Sequence, residues 1–342
     1  MIKFTGLLLL LSLIFSLNNN EAAAFELTDY SDAVNIYRGV NMGNMLESPN
    51  REGSWGTVLK EEYLKLVKEA GFDHVRVPIR WNHYADYNPP YRIKESFFQR
   101  IDEVIEQAHK YGLTIIINIH HYDELMADPE NHKDRFLAIW KQIAERYQDY
   151  PDTLYFEILN EPHNNLSANL WNQYLMEAIE IIREKNPDRM LVVGGAYWNN
   201  IDGLRELKLP EDDRNIIVTF HYYNPFEFTH QGASWSQGAN AWLGTTWTGT
   251  FREKKMIELE LDRASKWAQE NNRPLYLGEF GAYEKADMES RVRWTSFVAR
   301  EAEKRNIPWA YWEFNSGFGI YDPVQNQWRN ELLQALIPDE ND

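Results

Sequence analysis

Thr114-Ile115-Ile116-Ile117-Asn118-Ile119 is a β-branched run with apolar side chains on both alternating faces. A strand with one face in water alternates apolar with polar. A strand apolar on both faces is covered on both sides, as in a parallel sheet flanked by helices. Outward from this run the pattern recurs at Val34–Val40, His74–Ile79, Leu154–Leu159, Met190–Val193, Ile216–Phe220, Pro274–Leu277 and Pro308–Trp312. Between these runs lie the sets Leu59/Tyr63/Leu66/Val67/Ala70, Phe97/Ile101/Val104/Ile105/Ala108, Phe136/Trp140/Ile143/Ala144/Tyr147 and Trp171/Leu175/Ala178/Ile179/Ile182. Each follows i, i+4, i+7, i+8, i+11, one face of an amphipathic helix. Alternating strands and helices mean α/β, and eight strands predict a closed (β/α)8 TIM barrel. A doubly wound open sheet is the alternative. It lacks support, because no G-x-G-x-x-G follows the first strand and no Walker motif is present.

Composition narrows the function classes. The 342 residues include 52 acidic and 35 basic side chains, for a net charge of −17, and no Cys. The absence of Cys excludes disulfides, thiolate nucleophiles and cysteine-ligated metals. The acid excess argues against nucleic acid and against an anionic membrane surface, both of which call for a basic footprint. With 13 Trp, 19 Tyr and 16 Phe, the chain is too aromatic for an acidic disordered protein.

Residues 1–24 read as a secretory signal peptide. Lys3 supplies a positive start, Leu7 to Leu17 an apolar stretch, and Ala22-Ala23-Ala24 a small-residue cleavage site. The apolar stretch is too short for a permanent span. The expected organisation is a signal over 1–24 and one catalytic domain over 25–342, in a secreted protein with no membrane attachment after cleavage, working as a monomer.

A barrel of this kind builds its active site at the C-terminal ends of its strands. Asn41, Asn44 and Glu47 follow the first run, Arg76 and Arg80 lie in and after the second, and His120-His121-Tyr122 end the third. Asn160-Glu161 end the fourth, Tyr197-Trp198 follow the fifth, and His221-Tyr222-Tyr223 end the sixth. Gly278-Glu279 end the seventh and Trp312-Glu313 the eighth. So many polar and aromatic groups delivered to one rim are hard to explain by packing. Glu161 and Glu279 each follow an apolar strand, and paired carboxylates are the equipment of glycoside hydrolysis. Most Glu are merely solvated surface; two at strand ends with aromatic neighbours are harder to dismiss. Asn160 fits a donor to a sugar 2-hydroxyl. Tyr223 and Arg76 are placed to hold the nucleophile ionised. Glu157 lies a layer deeper than Glu161 and suits an ion pair inside the barrel.

The histidines raise a metal-dependent hydrolase as a competing reading. His120 and His121 are adjacent, so on an extended strand they point opposite ways. His221 and His230 have no carboxylate partner at an obvious spacing. No metal and no cofactor are expected. The loop Tyr222–Thr250 points instead to a neutral ligand. It carries one charged residue, Glu227, where the chain's 25% charge would put about seven in 29 positions. Trp235, Trp242 and Trp247 sit there among Gly, Ser, Thr, Asn and Gln, flat rings and hydroxyls suited to sugar.

At these residues the sequence resembles glycoside hydrolase family 5, the cellulase or endoglucanase family. The resemblance runs through RGVNMGN (38–44), HVRVPIRW (74–81), NIHHY (118–122), FEILNEP (156–162), HYYNPFEFTHQGASW (221–235), LGEFG (277–281) and YWEFNSG (311–317). It implies a retaining mechanism with Glu161 as acid/base and Glu279 as nucleophile. It implies supporting roles for Arg76, His120, Asn160, His221, Tyr223 and Trp312, with Trp312 as a stacking floor. A bacterial-type branch of the family implies Asn44, Glu47, His121, His230 and Trp235 as lining of the substrate cleft. The expected function is a retaining endo-β-1,4-glucanase acting on a neutral polysaccharide. A β-mannanase on the same machinery is the alternative, and a non-catalytic polysaccharide-binding protein a more distant one. On this reading the charge of Glu279 holds Glu161 protonated.

Overall fold

Eight parallel strands close on themselves in chain order. They are β1 (Arg38–Asn41), β2 (His74–Val77), β3 (Thr114–Asn118), β4 (Leu154–Glu157), β5 (Leu191–Gly194), β6 (Ile216–Tyr222), β7 (Leu275–Phe280) and β8 (Trp309–Tyr311). Closure is made by β1 pairing with β8, Gly39 opposite Ala310. The computed structural model describes residues 34–339; the signal-peptide reading of residues 1–24 lies outside them.

The opening run shows why the strands are apolar on both faces. Ile115, Ile117 and Ile119 belong to the outer core between barrel and helices. Ile116 points inward and packs with Tyr155, Val192, Ile217, Tyr276 and Ala310. One turn of the pleat higher, Asn118 is buried but polar. The barrel's interior therefore changes from apolar at the bottom to polar toward its C-terminal end. Val34 and Ile36, expected to open the first strand, instead join the lower apolar cluster ahead of β1.

Helices α1 (Glu61–Glu69), α2 (Glu95–Lys110), α3 (Asp123–Ala127), α4 (Pro129–Arg146), α5 (Ala168–Arg183), α6 (Phe226–Thr229), α7 (Phe251–Asn271), α8 (Met288–Glu303) and α9 (Asn330–Leu336) surround the barrel. The four apolar sets fall on α1, α2, α4 and α5 and on the turns flanking them. Between β5 and β6 only a single 3₁₀ segment, Ile201–Glu206, covers the sheet. The long β6–α7 connection ends in a capping box, Thr250 and Glu253 exchanging bonds at the start of α7.

The pairing of β6 with β7 is irregular. Phe220 faces Leu277 but His221 faces Glu279, so Gly278 is an extra residue on β7. A bulge of this kind re-aims the side chain beside it. Here that side chain is Glu279. A Cβ at position 278 would lie 2.5 Å from Thr219 Oγ1, which leaves the position to glycine.

Candidate active site

Arg76, in the middle of β2, organises the polar end of the barrel. It has no solvent exposure. Its Nε and Nη2 donate to the two carboxylate oxygens of Glu157 at 2.5 and 2.7 Å. Nη1 donates to Asn41 Oδ1 at 2.8 Å and to Glu279 Oε1 at 2.7 Å, and Nη2 also to Asn160 Oδ1 at 2.7 Å. Glu157 is thus the interior ion pair expected of it. The bond to Asn160 Oδ1 fixes that amide, leaving its NH2 as the end free to donate.

Glu279 accepts from the Tyr223 hydroxyl at 2.9 Å on its second oxygen. His221 Nδ1 lies 2.7 Å from Glu161 Oε1 and 3.5 Å from Glu279 Oε2. Glu161 stands beyond the end of β4 in a left-handed conformation, φ 47°. Such a backbone is costly for a residue with a Cβ and is found at functional sites. One carboxylate oxygen of each Glu and a ring nitrogen of His221 all lie within 4.8 Å of one another.

Burial dominates the electrostatics. It pushes Glu161 up to about 7, against the pull of Arg76 and His163. Loss of water is the largest cause, ahead of the charge on Glu279 expected from the sequence. Glu279 is also pushed above the ordinary carboxylate range by burial, and Glu161 beside it adds to the push. His221, Arg76 and the Tyr223 hydrogen bond oppose that push. Burial holds His121, His221 and His230 down to about 4, and His120 well below its usual range. The four imidazoles are neutral at ordinary pH, which suits a neutral ligand.

The dyad lies where two cavities meet. One, of about 800 Å³, is lined by Glu279, Asn160, His120, His121, Asn44, Trp312 and neighbours. The other, of about 820 Å³, is lined by Trp198, Tyr197, Phe226 and His221. Glu161, Tyr223, His230 and Trp235 border both. Trp312 lies parallel to His120, centroids 5.6 Å apart, and Trp198 lies on His163 at 4.8 Å. An acid between two aromatic-walled cavities is placed to protonate an oxygen that joins two sugar rings, one on each side.

Comparison with known proteins agrees with this geometry. The family described as Cellulase (glycosyl hydrolase family 5) matches residues 37–317. The chain belongs to glycosyl hydrolase family 5. It is a glycosyl hydrolase. Endoglucanase H of Acetivibrio thermocellus is 37% identical over 306 residues, covering 87% of this chain but 32% of that longer protein. Endoglucanase C of the same organism is 30% identical over 340 residues, covering 89% of this chain and 98% of its own length. Cel5A of Thermotoga maritima, solved in complex with mannotriose and with cellobiose, superposes with a TM-score of 0.87 at 55% identity. Those comparisons cover 88% of this chain and 97% of Cel5A.

Most of the anticipated residues of this family 5 enzyme converge on the cleft. Asn44, His120, His121, Asn160, Tyr223, His230, Trp235 and Trp312 line it. His120 and His121 do so together, their rings edge-on at 4.7 Å. The strand-based expectation of opposite directions fails because β3 ends at Asn118 and the pair stands in irregular chain. Glu47 does not reach the cleft. It is fully buried, and its carboxylate accepts from the backbone N–H groups of Asn44 and Met45. It therefore shapes the turn that presents Asn44, whose amide in turn donates to Glu313 at 2.7 Å. Of the three loop tryptophans, Trp235 faces the cleft, whereas Trp247 is core and Trp242 sits edge-on to Phe226. Trp55, Phe226, Tyr283 and Phe318 also line the cavities and are not among the residues singled out from sequence. Trp198, named there as an aromatic directly after a barrel strand, lines the second cavity. Glu161, His221 and Glu279 offer one ligand atom each at metal-binding range. A cation there would pair with both carboxylates and leave neither as a free acid or nucleophile.

Two stability predictions follow from the buried charges. Arg76→Met strands Glu157 and Glu279 without their shared cation, and losing one member of a buried ion pair costs about 3–5 kcal/mol. Chemical denaturation should show that loss; a midpoint within error of the parent would contradict the organising role. The second concerns pH. Burial pushes Glu47 to about 8 and Glu313 to about 7. A carboxyl raised in the fold binds its proton more tightly folded than unfolded. Stability is full below the ordinary carboxylate range and falls as pH rises to about 8. Melting temperature should drop across that window, and Glu47→Gln should flatten the slope.

Proposed function

We propose that this protein is a retaining endo-β-1,4-glucanase that cleaves internal β-1,4 linkages of glucans. The observation that carries the reading is the closeness of Glu161 and Glu279, with carboxylate oxygens within 4.8 Å. Retaining enzymes hold their carboxyl groups about 5–5.5 Å apart, and inverting ones about 6.5–9.5 Å apart to admit a water. Ionised Glu279 attacks the anomeric carbon while Glu161 gives its proton to the departing oxygen, leaving a glycosyl ester on Glu279 Oε2 or Oε1. Glu161, now the base, takes a proton from water, which attacks the ester and regenerates both groups. Asn160 donates to the 2-hydroxyl, and Trp312 underlies the ring whose bond is cut. Room on both sides of Glu161 supports internal cleavage.

Mannan is a second substrate on this reading, supported by the mannotriose and cellobiose complexes of Cel5A. The deciding experiment is a reducing-end assay over β-glucan, glucomannan, mannan, xylan and xyloglucan. Turnover confined to xylan, or absent on all five, would sink the proposal; release of short oligomers with a rapid fall in viscosity supports it. Export is part of the same proposal, supported by the composition of residues 1–24, and N-terminal sequencing of the mature protein tests it.

A further inference from the structure

Beneath the dyad, four buried side-chain atoms lack a hydrogen-bond partner: His221 Nε2, Thr219 Oγ1, and Oδ1 and Nδ2 of Asn199. They are neighbours across three strands. Thr219 and His221 both face Gly278 of β7, where a Cβ would lie 2.5 Å from Thr219 Oγ1 and 3.3 Å from His221 Nε2. On its other side Thr219 is in register with Gly194 of β5. A Cβ on Gly194 would lie 2.1 Å from Asn199 Oδ1 and 2.6 Å from Nδ2. Asn199 is held there at φ 52°, its carbonyl accepting from the His221 N–H at 2.9 Å. Two glycines flanking β6 thus make room for the Thr219 and Asn199 side chains, whose polar ends gather on the side of His221 away from Glu161. Thr219 and Asn199 have no solvent exposure, and His221 has 5%. Buried polar atoms are nearly always satisfied, by protein or by internal water with about two to four polar partners.

We infer that one internal water bridges His221 Nε2, Thr219 Oγ1 and the Asn199 amide. This set holds the His221 proton on Nδ1, making Thr219 and Asn199 positioning residues for the acid Glu161. The inference rests on the glycosidase reading above. His221 is neutral, so one ring nitrogen carries the hydrogen and the other accepts. Nδ1 faces Glu161 Oε1 and Glu279 Oε2; Arg76 and Glu157 are the other charges that act on the ring. An N–H at Nδ1 donates toward both carboxyl groups and leaves the Glu161 proton on Oε2, free for the glycosidic oxygen. A bare Nδ1 would repel ionised Glu279 and draw the Glu161 proton onto Oε1, away from the leaving group. The first arrangement makes Nε2 an acceptor, and the water supplies the donor it needs. The same water donates its second hydrogen to the Asn199 oxygen and accepts from the Thr219 hydroxyl.

Thr219→Val keeps the volume and deletes the hydroxyl. For a cello-oligosaccharide, whose leaving group requires an acid, kcat/KM should fall roughly tenfold. For a dinitrophenyl β-cellobioside, whose leaving group requires none, kcat/KM should change less than about twofold. Thr219→Ser should restore the first value. Nitrogen-15 spectra of histidine-labelled enzyme should show His221 protonated on Nδ1 in the parent, and a high-resolution crystal structure should show the water. Equal losses on both substrates, no loss on either, a parent imidazole protonated on Nε2, or no water at Nε2 would each overturn the inference. If the valine variant does not fold, the parent's spectrum and density decide. If the parent cleaves neither substrate, the glycosidase reading fails, while those two measurements still report on the water and the His221 proton.

Discussion

Glu279→Ala should lose roughly 10⁴-fold or more in turnover on every β-1,4-linked substrate, activated aryl glycosides included. The substitution removes the atom that forms the bond. A good leaving group cannot compensate, because no residue remains on that face to attack. The rest of the site should stay in place. Arg76 keeps its bidentate bond to Glu157 and its bonds to Asn41 and Asn160. The vacated room beside Tyr223 and Arg76 suits a small anion. Azide should therefore revive cleavage of a dinitrophenyl β-cellobioside and yield the α-glycosyl azide, since it attacks from the face Glu279 occupied. Wild-type turnover would remove Glu279 as the nucleophile. A β-azide would exchange the roles assigned to the two carboxylates.

The framework of this site was legible because it rests on local rules. An apolar run such as 114–119 needs cover on both faces, and the structure supplies it: Ile115 and Ile117 outward, Ile116 inward. Once the barrel is given, residues at strand ends must meet, which is why Asn160, Glu161, Tyr223 and Glu279 do. What stayed hidden depends on where regular geometry stops. His120 and His121 share a cavity because the strand has already ended. Glu279 reaches Tyr223 through a bulge at Gly278 that no spacing announces. Glu47 and Trp247 have the composition of ligand-binding groups, yet one is consumed by backbone N–H groups and the other by the core. Residue type marks what a side chain can do. Which surface it faces is set by contacts from strands far away in sequence.

Glu161→Ala should divide the reaction into two halves that respond differently. Cleavage of a glucan needs the proton of Glu161, so its turnover should fall about 10²–10⁴-fold. Formation of the ester from a dinitrophenyl β-cellobioside needs no proton and should proceed at close to the parent rate. Hydrolysis of that ester needs Glu161 as base, so the intermediate should accumulate and give a burst of dinitrophenol. Azide should then attack the ester from the side Glu161 occupied and yield the β-glycosyl azide, the opposite anomer to that expected with Glu279→Ala. The pH profile supplies an independent check. In the parent, glucan hydrolysis should fail as pH rises through about 7, because the raised Glu161 carboxyl then loses its proton. It should fail on the acid side where Glu279 gains one, at a pH above the ordinary carboxylate range. Deleting Glu161 should abolish the alkaline limb for the ester-forming step and keep an acid limb, moved to lower pH because Glu279 loses the push of its neighbour. An alkaline limb that survives the substitution would assign that titration to another group. Of the groups around the dyad, His121, His221 and His230 are held down to about 4 and His120 well below its usual range. Buried Glu313, pushed to about 7 beside Asn44, is then a group to replace next.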